Sequence, residues 1–247
     1  MAPSPYLLSV TSRPTAVSDS LWQRWYTEEH LPDLVNSKTS NHATFYTEVT
    51  DQLNSAASYP RKFLALYQTD FAEPLKTENY TTLRTTSELF GKEGGKEGIQ
   101  DNGDFDARNY ELIQEFDSTK IGEEPSPYIL TVEMHPQDAS DFDEWYRKEH
   151  LDLLSKTPGY RRCLRYKLGP PMPAALSKGV SDPAKGLAES DGFVPAYLAI
   201  HEVDDLLASF GGKEAEQANG TPWTIKHIQD SKVFVARAWK LVHQERY

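Results

Sequence analysis

The sequence predicts an α+β fold made of two similar units in one chain. The string Trp-Tyr-x-x-Glu-His-Leu occurs at Trp25 and again 120 positions later at Trp145. A short apolar run precedes each copy, and further apolar runs follow both copies in the same order. Such a string is not expected twice by chance in 247 residues, so we interpret the chain as an internal duplication.

Each unit begins with a strand followed by a helix. The apolar runs at residues 6–11 and 128–133 predict strands, which Pro14 and Pro136 follow. Ser18 or Asp19 can cap the first helix, and Ser140 or Asp141 can cap its counterpart. In both helices, aromatic and acidic residues and a histidine recur at i, i+3, i+4, i+7 and i+8, which predicts one shared face. These residues are Trp22, Trp25, Tyr26, Glu29 and His30 in the first copy, and Phe142, Trp145, Tyr146, Glu149 and His150 in the second.

The remaining elements also come in pairs. We expect second strands at residues 43–49 and 160–168, third strands at 62–68 and 196–202, and fourth strands at 107–113 and 236–242. Second helices are predicted around residues 81–90 and 204–211. The order strand-helix-strand-strand-helix-strand is that of a ferredoxin-like unit. Two helices cover only one face of such a sheet, so the bare faces should pack face to face around a shared core. Pockets are then expected between each sheet and its helices.

These elements divide the chain into a first unit at residues 1–117, a linker at 118–127 and a second unit at 128–247. The linker is assigned from its Gly and Pro content. The second and third strands of the second unit are separated by a long polar insert at residues 169–195, rich in Pro and Gly. We interpret this insert as a flap or lid over a binding site, since long loops of this kind are often functional.

Composition narrows the class of protein. The net charge of −11 argues against binding to nucleic acid or to an anionic membrane surface. No apolar run reaches the roughly 20 residues of a membrane span, and the first residues lack the pattern of a secretory signal. The single cysteine, Cys163, cannot form an internal disulfide, and no Cys/His cluster has zinc spacing. We therefore expect a cytoplasmic protein without a metal site.

The segment from Trp145 to Leu168 resembles the EthD-like branch of the dimeric α+β barrel superfamily. It combines Trp-Tyr-x-x-Glu-His-Leu with Leu-Ser-Lys-Thr-Pro-Gly-Tyr and Arg-Tyr-Lys-Leu. The resemblance implies two fused units and small-molecule chemistry without a tightly bound cofactor, as in monooxygenases, muconolactone-type isomerases, polyketide cyclases, dehydratases and decarboxylases. The first half departs from the pattern, with Ser40-Asn41-His42-Ala43 in place of Pro158-Gly159-Tyr160-Arg161. Which half is active therefore stays open.

The two motif histidines are the first candidates for catalysis. An imidazole titrates near neutral pH and can move a proton inside a pocket that excludes water, so His30 or His150 is a candidate general base. The alternative is a buried histidine that fixes the helix end against the sheet. Tyr46, Tyr166 and His201, together with Tyr67, lie on strands that we expect to line the same space. There they could donate a hydrogen bond to a developing enolate, or simply fill the core.

Other residues are candidates for binding the substrate. Arg108 and Arg237 occupy matching positions on the last strands and could hold a carboxylate, although an ion pair at the surface or between the sheets is the alternative. Aromatic residues of the first helices could form an apolar wall for a ring, or could belong to the core. These are Trp22, Trp25, Tyr26, Trp145 and Tyr146.

The leading hypothesis is a cofactor-independent lyase, isomerase or cyclase of secondary metabolism. It would act on a hydrophobic, carbonyl-bearing, polyketide-like or aromatic molecule by histidine acid–base catalysis. The alternatives are a cofactor-free monooxygenase of an aromatic substrate, haem binding on a histidine, and a protein that binds a small apolar ligand without converting it. The fused pair could also form a homodimer.

Overall fold

The computed structural model describes residues 3–49, 59–118, 120, 125–173, 175–176 and 194–247. In the first half, β1 (Tyr6–Pro14) leads into helix α1 (Asp19–Trp25), which continues through a π-helical turn (Tyr26–His30) into α2 (Leu31–Asn36). Strands β2 (His42–Glu48) and β3 (Phe63–Thr69) follow. Short helical segments then precede β4 (Gly103–Phe116); they are a 3-10 turn (Pro74–Lys76), α3 (Glu78–Thr81), α4 (Glu88–Lys92) and a second 3-10 turn (Ile99–Asp101).

The second half repeats this order. Strand β5 (Tyr128–His135) leads into α5 (Ala139–Trp145), a second π-helical turn (Tyr146–His150) and α6 (Leu151–Leu154). Strands β6 (Tyr160–Leu168) and β7 (Tyr197–Val203) follow, then α7 (Leu206–Phe210), α8 (Lys213–Asn219), α9 (Pro222–Asp230) and β8 (Val233–Arg246). The predicted α+β fold of two ferredoxin-like units is thus the observed one, and every predicted strand is present.

The strands form one closed antiparallel barrel in the order β1-β3-β2-β8-β5-β7-β6-β4. Each half contributes a four-stranded sheet, and the two sheets are joined by the β2–β8 and β4–β6 pairings. The expected face-to-face packing is therefore completed by hydrogen bonds along both edges. This closure leaves no strand edge in the barrel unpaired, which removes the usual site of edge-to-edge aggregation.

Alternating side chains divide the strands between two environments. On β1, Leu7 lies in the barrel interior, whereas its neighbour Leu8 faces the first pair of helices. The interior core also holds Tyr46, Tyr166 and Trp239. Two further apolar cores lie between the outer faces of the sheets and the helices, and they contain the aromatic residues of the duplicated motif.

The predicted second helices differ from the observed ones. Residues 82–87 are not helical, so the helix expected at 81–90 is replaced by the separate segments α3 and α4. In the second half, the expected helix at 204–211 corresponds to α7, and the longer α8 and α9 were not predicted. The first half thus has a thinner helical cover than the second. Among the described residues, no helix is long and apolar enough to cross a membrane.

Parts of the predicted linker and insert lie outside the described residues. This applies to residues 119 and 121–124 of the linker, and to residues 174 and 177–193 of the insert.

Candidate functional site

The duplicated motif forms a π-helical turn in both halves, which the sequence pattern did not predict. The i→i+5 hydrogen bond from the Leu31 amide to the Tyr26 carbonyl closes the first turn. This spacing brings Trp25 and His30 one above the other, with ring centroids 4.5 Å apart and planes inclined by 21°. In an α-helix, residues five apart are turned away from each other, so the π-turn itself creates this stack.

The second copy shows that the π-turn belongs to the motif rather than to a local proline. Trp145 and His150 stack in the same way, with ring centroids 4.3 Å apart. Pro32 follows the first turn, whereas Asp152 occupies the corresponding position after the second. Because both copies form the turn, the absent amide hydrogen of Pro32 is not its cause.

A cavity of about 50 Å³ lies beside the first π-turn, between the helices and the outer face of the sheet. Its polar lining groups are His30, Tyr67, Tyr80 and Gln100. Aromatic and aliphatic side chains supply the rest of the wall; they are Leu8, Val10, Trp25, Tyr26, Leu34, Leu75, Ile99, Phe105, Ala107 and Leu176. No lysine, arginine or carboxylate is among these lining residues. The cavity therefore suits an uncharged, largely apolar group.

His30 is held in this cavity by rings rather than by hydrogen bonds. Trp25 stacks on one side, and Tyr26 and Tyr67 meet the imidazole edge-on, with centroids 5.5 and 6.2 Å away. Within the described part of the chain, the His30 imidazole makes no hydrogen bond. Burial lowers the pKa of His30 to about 4, and Asp33 opposes this effect only in part. The imidazole is thus neutral at physiological pH, with a lone pair available for a proton.

Tyr67 supplies the second polar group. It lies on β3, 2% exposed, and its hydroxyl is buried with no hydrogen-bond partner among the described residues. Burial raises the pKa of Tyr67 well above its usual value, so the phenol stays protonated and can donate. An unpaired buried hydroxyl costs roughly 1–3 kcal/mol, and a ligand oxygen placed in the cavity would relieve that cost.

The insert of the second half reaches this first-half site. Strand β4 extends beyond its pairing with β6, and the Ala107 amide there donates to the Leu176 carbonyl at 2.6 Å. The Asn109 side chain donates to the Pro170 carbonyl at 3.0 Å. The side chains of Met172 and Leu176 pack against the first-half core, and Leu176 lines the cavity. The described part of the predicted flap therefore forms one wall of the site. About 50 Å³ holds only a few waters, so a ring-sized ligand needs more space than the cavity has in this structure.

The equivalent position in the second half is packed differently. His150 is 6% exposed, and its Nδ1 lies 3.5 Å from the Thr224 hydroxyl on α9. That hydroxyl also accepts from the Trp145 indole at 3.1 Å and donates to the Ala218 carbonyl at 2.8 Å. Helices α8 and α9 thus press directly onto the second motif, whereas the first half has only short segments at this place.

His201 occupies the position in the second half that Tyr67 has in the first. Its Nδ1 pairs with the Tyr160 hydroxyl at 2.9 Å, so both groups are satisfied. Burial lowers the pKa values of His150 and His201 to about 3. Two neutral histidines with protein hydrogen-bond partners are typical of a packed core. In the first half, by contrast, the His30 imidazole and the Tyr67 hydroxyl make no hydrogen bond to any described residue.

The expectation that four strand residues line one space is wrong. Tyr67 and His201 lie beneath the helices of their respective halves, but Tyr46 and Tyr166 point into the barrel interior. The reason is the alternation of side chains along each strand. Tyr46 and Tyr166 are therefore separated from both motif histidines by the sheet, and a direct part in His30 chemistry is excluded for them.

The two strand arginines are also placed away from the cavity. Arg108 pairs with Asp106 and, across the halves, with Glu133 at 2.5 Å. Arg237 pairs with Glu48 of the other half at 2.7 Å. Each guanidinium lies inside the barrel and is about 95% buried. The predicted carboxylate-binding role is thus replaced by ion pairs that join the two sheets, the alternative stated above.

The aromatic residues of the motif divide between cavity and core. Trp25 and Tyr26 line the cavity, whereas Trp22 lies outside its lining. The Trp22 indole donates to the Ser12 hydroxyl at 3.2 Å and packs over Gly103, where a Cβ would lie 2.1 Å from the ring. Trp145 and Tyr146 surround His150 beneath α9 and belong to the second core.

Sequence reasoning missed Tyr80, Gln100 and Leu176 as lining residues. They lie on segments without a hydrophobic period, so nothing in their spacing indicated a shared site. One sequence feature could have indicated the π-turn. The aromatic residue and the histidine are five residues apart in both copies of the motif, Trp25 and His30 in the first and Trp145 and His150 in the second.

Comparisons with known proteins agree with the barrel fold. No protein-family model matches the chain. A curated relative from Stachybotrys chlorohalonatus (strain IBT 40285), named core atranone cluster (CAC) protein 1, is 27% identical over 212 residues, covering 83% of this chain and 85% of the relative. A crystal structure of an anthrone oxidase-like protein matches with a TM-score of 0.53 and 15% identity, over 98% of this chain and 93% of that one. A candidate monooxygenase from Fusobacterium nucleatum subsp. nucleatum ATCC 25586 also matches with a TM-score of 0.53, at 9% identity, over 98% and 95%. At these identities, the structural matches establish the fold alone.

Proposed function

We propose that this chain is an enzyme of secondary metabolism that abstracts a proton from an uncharged, carbonyl-bearing ring compound, and that it is a fused member of the EthD-like branch. The site is the first-half cavity, with His30 as the general base and Tyr67 as the hydrogen-bond donor to the developing enolate oxygen. The observation that carries this proposal is the pairing of a free, neutral imidazole with an unpaired buried phenol in one apolar cavity.

The chemistry follows from the surroundings of the two groups. Proton transfer from a carbon acid to His30 creates an imidazolium and an enolate inside a cavity whose described lining residues carry no charge. Their mutual attraction is strong where water is excluded, and this compensates for the low proton affinity of the buried imidazole. Tyr67 can stabilise the enolate oxygen more than the neutral carbonyl, which is the requirement for catalysis. Cyclisation, isomerisation and dehydration can all begin with this step.

The relative named for an atranone cluster supports a place in a biosynthetic gene cluster. The anthrone oxidase-like structure favours a second candidate function, which is oxidation of the same kind of carbanion by molecular oxygen. In that reaction, anthrone and O₂ give anthraquinone and water. The proton abstraction by His30 is common to both functions, and only the fate of the carbanion differs.

Anthrone in D₂O is a suitable probe, because its methylene protons are acidified by the carbonyl on the opposite side of the central ring, through conjugation with the two fused rings. Their exchange is visible by ¹H NMR. Under nitrogen, we expect the protein to accelerate loss of the methylene signal. His30→Gln should lower that rate about 10²- to 10⁴-fold, the usual contribution of a general base. The matched variant His150→Gln should stay within a few-fold of the parent, with folding of both checked by circular dichroism.

Oxygen uptake under air separates the two functions. Exchange without oxygen uptake indicates a lyase, isomerase or cyclase, and uptake that requires His30 indicates the oxidase. Equal rates for His30→Gln and the parent would refute the assignment of the base. Tight binding of anthrone without exchange or oxidation would instead identify a protein that only carries an apolar ligand.

A further inference from the structure

The first copy of the motif carries a carboxylate next to its histidine at a position where the second copy does not. Asp33 lies three residues after His30, on the same face of the helix. The corresponding residue after His150 is Leu153, which packs against the second core. The two copies therefore differ in the charge placed beside otherwise equivalent histidines.

Asp33 is held by Arg84, which lies in the segment after α3. The Arg84 Nε and Nη2 donate to the two Asp33 carboxylate oxygens at 2.6 and 2.9 Å. This bidentate geometry is the strong form of an arginine–carboxylate contact. Arg84 Nη1 also lies 3.6 Å from Glu29 Oε2. One guanidinium thus contacts two carboxylates that stand on either side of His30 in the sequence.

The motif glutamate contacts the helical cover in both halves. Glu149, the counterpart of Glu29, accepts from the Thr221 hydroxyl at 2.6 Å, at the N-terminus of α9. The second copy therefore uses a hydroxyl for this contact, whereas the first copy uses the guanidinium of Arg84. The cation beside His30 is thus supplied by the cover of the first half.

Asp33 and Arg84 are the charged groups of the described structure that act on the His30 imidazole. Asp33 raises the pKa of His30 and Arg84 lowers it, and both effects are smaller than that of burial. The other titratable groups packed around the ring are phenols, and burial raises their pKa values, so they stay protonated and neutral. They belong to Tyr26, Tyr67 and Tyr80.

The two charges of the ion pair have opposite effects on a protonated imidazole. A carboxylate stabilises a nearby imidazolium and a guanidinium destabilises it. The side chains of Asp33 and Arg84 are 24% and 46% exposed, so solvent weakens both effects without removing them. Neither residue lines the cavity, and each can therefore act on a bound substrate only through His30.

We propose that the Asp33–Arg84 ion pair sets the strength of His30 as a base. Asp33 stabilises the imidazolium that proton abstraction creates, and Arg84 limits this stabilisation. Both are positioning residues, and their effect on the reaction rests on the proposed function, in which His30 is the general base. The second copy, with Leu153 in place of Asp33, has no such pair beside its histidine among the described residues.

NMR titration of the His30 imidazole, assigned by comparison with His30→Gln, tests the proposal on the full chain without a substrate. With a pKa of about 4, roughly a tenth of the imidazole is protonated at pH 5. Arg84→Gln should raise the proton affinity of His30 about fivefold, and Asp33→Asn should lower it by about the same factor. The change in ring chemical shift between pH 7 and pH 5 should therefore be larger than the parent's in Arg84→Gln and smaller in Asp33→Asn.

The rate of anthrone exchange is the second measurement. Because a stronger base accepts a carbon-bound proton faster, Arg84→Gln should exchange anthrone about two- to threefold faster than the parent, and Asp33→Asn about two- to threefold slower. Arg84→Lys keeps the charge but loses the planar fork, and it should stay near the parent in both measurements. A purely structural role of the bidentate contact would instead make Arg84→Lys resemble Arg84→Gln.

Arg24→Gln is the matched control. The Arg24 side chain is also 46% exposed and binds Glu93, at the end of α4, at 2.6 Å. It thus joins the motif helix to the same cover, but it is not among the groups that act on His30. Its His30 titration and its exchange rate should match those of the parent, with folding of all variants verified by thermal melting.

Several results would overturn the proposal. These are an unchanged His30 titration in Arg84→Gln and Asp33→Asn, shifts in the same direction in both variants, an equal shift in Arg24→Gln, or shifted titrations with parental exchange rates. Failure of the proposed function is a separate result, because it would appear as parental anthrone exchange in His30→Gln.

Discussion

Acidification from pH 7 to pH 5 should destabilise the protein through its buried histidines. Burial lowers the pKa values of His30 to about 4, and of His150 and His201 to about 3, whereas an unfolded histidine has a pKa of about 6.5. Below that value the unfolded chain binds protons that the folded chain does not. Stability is therefore fully present above about pH 6.5 and is lost as the pH falls toward the folded pKa values.

The size of the effect at pH 5 depends little on the folded pKa, because all three values lie below 5. At that pH, protonation stabilises the unfolded state relative to the folded state by about 2 kcal/mol per histidine. His150 and His201 are 6% and 1% exposed, so the full amount applies to them, and the partly exposed His30 should contribute less. The expected total is about 5 kcal/mol, a large share of the stability of an ordinary domain. Most carboxylates contribute little in this window, since unfolded Asp and Glu titrate near pH 4. Burial raises the pKa of Glu202, and its protonation in the folded state offsets part of the loss.

Urea denaturation at pH 7 and pH 5 measures this loss. His201→Gln keeps a neutral group that can pair with the Tyr160 hydroxyl, and it should reduce the difference between the two pH values by about 2 kcal/mol. His243→Gln is the matched control, because the His243 side chain is 36% exposed and should leave the difference unchanged. A parent protein equally stable at both pH values would refute the claim that these imidazoles are buried and neutral.

Three further predictions concern the site and the barrel. Inserting one alanine after the exposed Glu28 should place Trp25 and His30 six residues apart, on different faces of the helix, and anthrone exchange should fall at least tenfold. The same insertion after Lys148 in the second turn should spare the exchange, and equal rates for the two insertions would contradict a role of the Trp25–His30 stack. Leu176→Trp should fill the cavity and lower kcat/KM for anthrone about tenfold with the melting temperature unchanged. The volume-conserving Met172→Leu should have little effect on either quantity, and unchanged kinetics for Leu176→Trp would show that Leu176 is not part of the site. Arg237→Met should lower the free energy of unfolding, measured by urea denaturation, by about 3–5 kcal/mol, because it leaves Glu48 buried and unpaired; adding Glu48→Met should restore most of this stability. A loss below about 1 kcal/mol in the single variant would show that the pair is not buried in solution.

The sequence by itself determined the repeated architecture. Apolar runs and the duplicated Trp-Tyr-x-x-Glu-His-Leu string predicted all eight strands and both first helices, because strand and helix periodicities depend on neighbours close in the chain. The same local signals placed His30 and His150 on the inner face of their helices.

Only the tertiary structure decided that the described cavity lies beside His30 of the first copy. His30 and His150 are equivalent in the motif, but Thr224 of α9 contacts His150, whereas Leu176 from the distant insert closes the space beside His30. It also decided that Tyr46 and Tyr166 face the barrel interior, since the side on which a strand residue lies depends on sheet closure and register. Contacts between segments far apart in the chain leave no periodic trace in the sequence, and these contacts distinguish a packed core from a site.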